Sequence, residues 1–396
     1  MILVVDALDE CDSESDIRGI LELFKEVNSL AHIRFRLFLT SRPETPISLS
    51  FKNMPTMVHY DLILHDICQA TIEGDLSVFF KLELTKIRAE SDYIEELPLD
   101  WPGDKVINAL VQRAHGLFIY AATVCRFIKS NDDWSPPSLL RLFLLDDNTA
   151  ELLQGDFSEL PSKSPTSTLD DMYMQILNHS LRKVDELDKG QLTGQFKQIV
   201  GSIVILLETL SIKSLAALLG MPKPKAKRRL KNLHSIFDVP EDDSCSLRLC
   251  HPSFRDFLLD KQRCCDPDFW VDENRAHAAL AKCCMQLMSS DQLKQDICNL
   301  REPGILARKI PTDQIEQCLP AELQYACRYW VGHLLKSKLQ LRNGDQVDLF
   351  LRQHLLHWLE ALSLMGKTSE GVYAIILLES MVSTSYALRE LGLILI

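Results

Sequence analysis

The chain opens with Ile2-Leu3-Val4-Val5 running straight into three acids, Asp6, Asp9 and Glu10. Branched apolar residues without polar alternation describe a strand buried on both faces of a parallel sheet, with its carboxyl end at the sheet edge. Such a strand commits the start of the chain to an α/β arrangement. It also delivers carboxylates where ligands of parallel sheets bind. A phosphate-cradling Gly-x-x-x-x-Gly-Lys-Ser/Thr loop would complete a site of this kind, and none occurs in the 396 residues.

The following residues extend the reading. Asp12 and Ser13 suit the N-cap of a helix in which Ile17, Ile20, Leu21, Phe24, Val27 and Leu30 recur at helical spacing. Arg34-Phe-Arg-Leu-Phe-Leu-Thr-Ser-Arg42-Pro43 then reads as a second buried strand ending in Thr40, Ser41 and Arg42. A strand–helix–strand unit this short closes as a right-handed crossover, so both strand ends reach the same edge. Asp6, Asp9, Glu10 and Arg42 are therefore expected to converge. Acids for a metal ion and a water, beside an arginine for a terminal phosphate, form a phosphoryl-transfer constellation. The plainer alternative is a buried strand with N-capping acids, followed by an exposed arginine. Two such motifs on adjacent strands favour the first.

Val4-Val-Asp-Ala-Leu-Asp-Glu-Cys-Asp12 and Leu39-Thr-Ser-Arg-Pro-Glu44 resemble the Walker B and sensor segments of fungal NACHT proteins, NLR-like signalling ATPases of the STAND class. Ala114-His-Gly-Leu-Phe-Ile-Tyr-Ala-Ala-Thr-Val-Cys125, His251-Pro-Ser-Phe-Arg-Asp-Phe-Leu258 and Leu323-Gln-Tyr-Ala-Cys-Arg-Tyr-Trp330 are similar to later segments of the same family. The likeness extends over nearly the whole chain. It implies that Asp6 holds Mg²⁺, that Asp9 and Glu10 are catalytic, and that Arg42 and His251 contact ATP or ADP. It implies further a nucleotide-gated switch that oligomerises, of the vegetative-incompatibility type. The P-loop, its strand and an effector domain expected before Walker B are missing, as are the repeats that often follow. A truncated gene or a remnant paralogue, not nucleotide-competent alone, is the expectation.

Net charge is −12, which argues against general affinity for nucleic acid or anionic membranes. The twelve cysteines show no Cys-x-x-Cys spacing, and the adjacent pairs Cys264-Cys265 and Cys283-Cys284 suit neither a disulfide framework nor zinc. Reduced, buried thiols in a cytoplasmic protein are expected. No basic region precedes the opening apolar run, so it is not a signal peptide, and stretches such as 199–207 and 374–378 are too short to span a bilayer.

Helical patterns dominate after residue 60, giving an α/β plus mostly α chain. Residues 66–88 and 106–128 read as helices separated by Leu97-Pro-Leu-Asp-Trp-Pro-Gly103. The expected divisions are a partial nucleotide-binding domain over residues 1–58, a helical domain over 59–150 and a linker over 151–167. A winged-helix domain over 168–262 and a C-terminal helical domain over 263–396 follow. Ile212–Gly220 and Pro224–Ser235 read as helices, and two short runs within Val239–Cys250 read as a hairpin around Glu-Asp-Asp-Ser. Trp270, Trp330 and Trp358 are expected as large core anchors. No internal repeat is evident.

Three features leave alternatives. Lys223, Lys225, Lys227, Arg228, Arg229 and Lys231 crowd the second of these helices, where a winged-helix DNA binder would place them. An acidic chain, with Pro222 and Pro224 at the helix start, favours a solvated face. His251 precedes Pro252 at a helix start and suits either an anion or a core bond to a backbone carbonyl; the resemblance favours the nucleotide. Gly116-Leu117-Phe118 occupies the place of a Gly-Leu-Pro step that lies beneath the adenine in the resembled family, with Phe118 replacing the proline. Taken alone it is helix packing. An interaction scaffold without NTPase activity is the alternative function, and a winged-helix DNA binder the less favoured one.

Overall fold

A computed structural model describes residues 2–11, 14–28, 36–42, 45–52, 59–131, 133–144, 164–181, 186–240, 242–301, 304–342 and 344–381. The chain divides into two compact units, residues 1–68 and 69–396, and is mostly helical with a small parallel sheet.

In the first unit β1 (Ile2–Val5) and β2 (Arg36–Leu39) pair in parallel, from Ile2 opposite Arg36 to Val5 opposite Leu39. Between them lies α1 (Glu14–Asn28), and α2 (Thr45–Lys52) follows β2. Ile17, Leu21 and Phe24 recur on one side of α1, so that face turns inward. It meets Leu8 and Ile47 in a small core bordered by Val5, Leu39 and Phe51. The expected caps Asp12 and Ser13, and the strand residues Arg34 and Phe35, lie outside the described residues.

The expectation of strands buried on both faces is not met. Ile2 is 73% exposed, Val4 63% and Phe38 60%. Burial on two faces needs a packed layer on each. Among the described residues the sheet has two strands, and Val5 and Leu39 are the strand residues that pack against the core of Leu8, Ile17, Leu21 and Ile47.

The second unit begins with α3 (Gln69–Glu90), which buries Leu76, Phe80, Leu84 and Ile87 at helical spacing. The helix expected over 106–128 is two helices, α4 (Asp104–Ala114) and α5 (Phe118–Lys129). His115 (φ 45°) and Gly116 (φ 79°) are both left-handed, and the Leu117 N–H donates to the Ala114 carbonyl at 2.8 Å. Apolar periodicity runs through this break, so it did not signal the stop, which rests on the left-handed tolerance of glycine.

Next come α6 (Pro136–Leu144), α7 (Pro165–Leu181) and α8 (Glu186–Ile205). They are followed by α9 (Ile212–Leu218) and α10 (Lys223–Lys231). The Ser211 side chain caps α9 by accepting from the Ser214 N–H at 3.1 Å. β3 (Phe237–Asp238) and β4 (Arg248–Leu249) form an antiparallel hairpin, Phe237 opposite Leu249. Ser211 bridges antiparallel to Ser246, and the Leu247 N–H donates to the Leu210 carbonyl at 2.9 Å. The segment leading into α9 thereby pairs with the hairpin.

α11 (Ser253–Leu259) leads to α12 (Glu273–Met288), α13 (Thr312–Cys318), α14 (Ala321–Ser337), α15 (Gln346–Leu364) and α16 (Thr368–Met381). One continuous buried core runs from Leu76 to Leu378. Trp330 and Trp358 are fully buried edge to face, centroids 5.4 Å apart, and the Trp358 indole donates to the Cys327 carbonyl. Trp270 is no such anchor. It is only partly buried, with the Lys261 ammonium over its ring, and the neighbouring Phe269 fills the core instead. No described helix is long and apolar enough to cross a membrane.

Candidate functional site

Parallel pairing of β1 and β2 puts the residues after both strands at one edge, and there the side chains interlock. The Thr40 N–H donates to the Val5 carbonyl at 2.9 Å, and the Leu8 N–H to the Thr40 carbonyl at 3.0 Å. These bonds carry the parallel ladder one step past the strands. Between them Ala7 adopts a left-handed conformation, φ 53° and ψ 54°. For a residue with a Cβ this is strained, and it is held by the Ala7 N–H donating to the Thr40 Oγ1 at 2.8 Å. The Thr40 hydroxyl in turn donates to the Asp6 Oδ1.

Asp6 is exposed, and Thr40 fixes the direction of its carboxylate. Asp9, on the following turn (Leu8–Glu10), reaches across to the other strand. Its Oδ1 accepts from the Arg42 N–H at 2.9 Å, and its Oδ2 lies 3.6 Å from the Arg42 Nε. The Asp9 side chain is 7% exposed while that of Arg42 is 51% exposed. Asp9 is thus engaged by Arg42, and the guanidinium tip remains toward solvent. The Glu10 backbone completes the turn, and its side chain lies outside the described residues.

Asp6, Asp9 and Arg42 are therefore brought to one edge, as the crossover argument expected, with Asp9 and Arg42 in direct contact. Thr40, which the sequence marked only as a strand end, couples the two strands through one hydroxyl. The polar residue after the second strand was the available signal for it.

A Mg²⁺ ion bound with a nucleotide takes one or two protein carboxylates, the rest of its shell being phosphates and water. An exposed carboxylate with one oxygen already oriented meets the protein's share, and Asp6 is that group. No group of three or more metal-ligating side chains occurs among the described residues.

The other expected contacts lie in the second unit. His251 is half-buried just before α11, with Pro252 at the N-cap position. Its Nδ1 accepts from the Ser253 N–H at 3.1 Å and lies 2.8 Å from the Ser253 Oγ, which is 2.8 Å from the Tyr173 hydroxyl. With Nδ1 accepting, the neutral ring carries its proton on Nε2. The imidazole thus caps the first turn of α11 through its Nδ1.

Gly116 packs on α3, where a Cβ would meet Ile72 at 3.5 Å. Phe118 is partly exposed and meets Phe79 edge to face, centroids 6.0 Å apart. Of the six basic residues on α10, Lys223 and Lys227 both bind Asp243 in the β3–β4 hairpin, at 2.7 and 2.9 Å. The Arg229 Nε donates to the Gln195 Oε1 at 3.1 Å, and burial lowers its pKa from the ordinary arginine value.

A family model described as nephrocystin 3, N-terminal, matches residues 1–42, ending at Arg42. The chain is 23% identical over 415 residues to the vegetative incompatibility protein HET-E-1 of Podospora anserina. That match covers 99% of this chain and 27% of the relative, so the chain spans about a quarter of the relative's length. No solved structure matches it. The two matches support the resemblance to fungal NACHT-type proteins.

Proposed function

We propose that this relative of fungal NACHT-type proteins carries the metal-binding and sensor half of a nucleotide-gated signalling switch. The observation that carries the reading is the shared edge of β1 and β2, where Thr40 orients Asp6 and Asp9 holds Arg42. In this reading Asp6 contributes one ligand to Mg²⁺ bound with ATP or ADP, and Arg42 meets the terminal phosphate. Glu10 orients the attacking water. The ion supplies charge neutralisation for the phosphates when bound. Asp9 acts by keeping the guanidinium in place.

Residues 168–262 act as a winged helix. The pairing of Ser211 with Ser246 beside the β3–β4 hairpin supports this, since such a domain joins a short strand before its second helix to its wing. DNA binding is the weaker use, because Lys223 and Lys227 are spent on Asp243. His251 reports nucleotide state from the base of this region, and exchange frees surfaces that oligomerise, with protein effectors or repeats as partners. The site belongs to a cytoplasmic signalling protein in this reading.

The test is to join a P-loop segment ahead of Ile2 and titrate ATP and ADP with and without Mg²⁺. Asp6→Asn should abolish the Mg²⁺ dependence of ATP binding. Arg42→Ala should remove most of the preference for ATP over ADP. Binding with unchanged Mg²⁺ dependence in Asp6→Asn overturns the assignment. A joined chain that folds, as judged by circular dichroism, yet binds no nucleotide favours a scaffold without NTPase activity.

A further inference from the structure

α15 carries His354 and His357 three positions apart, a spacing that places both side chains on one face in adjacent turns. Their rings meet. The two Nδ1 atoms lie 3.4 Å apart, with ring centroids at 5.5 Å and planes inclined by 67°. As a hydrogen bond this is long, because N–H donors ordinarily sit about 2.7–3.2 Å from their acceptors. As the span between two ligands of one metal ion it fits. At a metal–nitrogen distance of about 2.0–2.1 Å, a tetrahedral angle sets two nitrogens about 3.3–3.4 Å apart. A right angle, as in octahedral or tetragonal ions, would bring them to about 2.9 Å. The other facing imidazoles, His277 and His333, have Nδ1 atoms 2.7 Å apart and are fully buried. That pair is hydrogen-bonded inside the core, whereas His354 and His357 are each partly exposed.

The α15 pair is held from the core side. Phe350, one turn before His354, is 2% exposed and stacks on the His354 ring at 13°, centroids 5.6 Å apart. Phe350 in turn meets Trp330 edge to face at 5.2 Å. Burial, then His357, lower the His354 pKa from its ordinary value, against a backbone hydrogen bond with Leu293 that raises it. The ring is therefore neutral near pH 7, as a metal ligand must be. Glu360, one turn after His357, is engaged elsewhere: its oxygens accept from the N–H groups of Asp296 and Ile297, at 3.2 and 3.3 Å. No third His, Cys, Asp or Glu joins the two rings among the described residues.

We propose that His354 and His357 chelate a divalent ion of the zinc class through their Nδ1 atoms, with water at the other positions. Imidazole nitrogen suits Zn²⁺, while Mg²⁺ takes oxygen ligands. On binding, the ring that donated its Nδ1–H passes that proton to its own Nε2 through solvent, so that both Nδ1 lone pairs face the ion. Both rings stay neutral and no net proton is released. The chelate ties together the turn of α15 that leads to Glu360 and its hold on Asp296 and Ile297.

The full chain is first alkylated at its accessible thiols, so that exposed Cys68, Cys245 and Cys265 cannot ligate, and is then titrated calorimetrically with zinc chloride. His354→Gln and His357→Gln are titrated in the same way, each checked for parental helix content by circular dichroism. The parent should bind zinc at a site that either variant weakens at least tenfold, since each variant removes one of two donors. The parent should melt at higher temperature as zinc increases, and the variants should not. His357→Gln, at a partly exposed ring outside the Phe350 stack, should fold and decides the matter if His354→Gln does not. Zinc affinity equal in the parent and His357→Gln overturns the proposal, as does a parent that binds no zinc. Excess magnesium chloride that displaces the zinc overturns it equally, because the site titrated would then be an oxygen site.

Discussion

Acidification should destabilise the second unit through two buried histidines. His277 on α12 and His333 on α14 face each other, their Nδ1 atoms 2.7 Å apart. The His333 Nε2 lies 2.7 Å from the Tyr325 hydroxyl, which accepts from the Leu207 N–H at 3.2 Å. One assignment runs along this chain. Tyr325 donates to the His333 Nε2 and the His333 Nδ1–H donates to the His277 Nδ1, while the buried His277 Nε2 has no hydrogen-bond partner, the Glu273 carboxylate lying 3.9 Å away. Protonating the His277 Nδ1 would set two N–H groups head to head. Burial, with Lys336 and Arg255 nearby, lowers His277 to about 4. Burial, then His277 and Lys336, lowers His333 to about 3.

Both folded values lie below the ordinary histidine value near 6.5, so the unfolded chain binds more protons at mildly acidic pH. Stability from this pair is complete above about pH 6.5 and falls as pH drops toward 4. Integrating from pH 7 to pH 5 gives a loss of about 2 kcal/mol for each ring, or about 3–4 kcal/mol for the pair. Against a typical domain stability of roughly 5–15 kcal/mol, that is a large fraction. Urea unfolding followed by tryptophan fluorescence, which reports the buried Trp330 and Trp358 among the chain's five tryptophans, should show the midpoint falling between these pH values. His277→Asn keeps an acceptor near the Nδ1 position and removes one titrating ring. It should lower stability at pH 7 and reduce the pH-dependent loss by about half. An equal loss in His277→Asn and the parent chain would refute the reasoning.

The 396 residues alone should bind ATP or ADP weakly, because carboxylates repel the phosphates without a backbone cradle and lysine; micromolar affinity by isothermal titration would count against this. In a chain supplied with a P-loop, Asp9→Asn should release the Arg42 side chain and lose ATP-over-ADP preference as Arg42→Ala does, whereas Glu10→Gln should slow hydrolysis far more than binding. His251→Ala removes the Nδ1 acceptor at α11 and should lower stability by about 1–2 kcal/mol. If His251 also holds the ADP phosphate, the ADP off-rate should rise roughly tenfold or more, and an unchanged off-rate retires that role. Val4→Lys, on the exposed face of β1, should reduce concentration-dependent light scattering without lowering helix content; unchanged scattering would show that this face does not drive association.

Apolar spacing was enough to identify most helices. Ile17, Leu21 and Phe24 read as one face, and α3, α9 and α10 follow the same rule, because a helical stripe must be buried whatever partner covers it. Chain connectivity was also enough to bring Asp6, Asp9 and Arg42 to one edge, since parallel strands joined through one helix end together. Other outcomes were decided by non-local contacts. The split between α4 and α5 depends on a left-handed Gly116 where the apolar periodicity continues on both sides. Exposure of Ile2, Val4 and Phe38 depends on how many layers cover a strand, which the strand's own residues do not encode. The engagement of Asp9 with Arg42, the Thr40 hydroxyl between strands and the His277–His333 contact join residues more than 30 positions apart. Residue type supplied the chemistry in each case. Tertiary packing chose the partner, because hydrogen bonds extend only a few ångströms and sequence distance does not measure that separation.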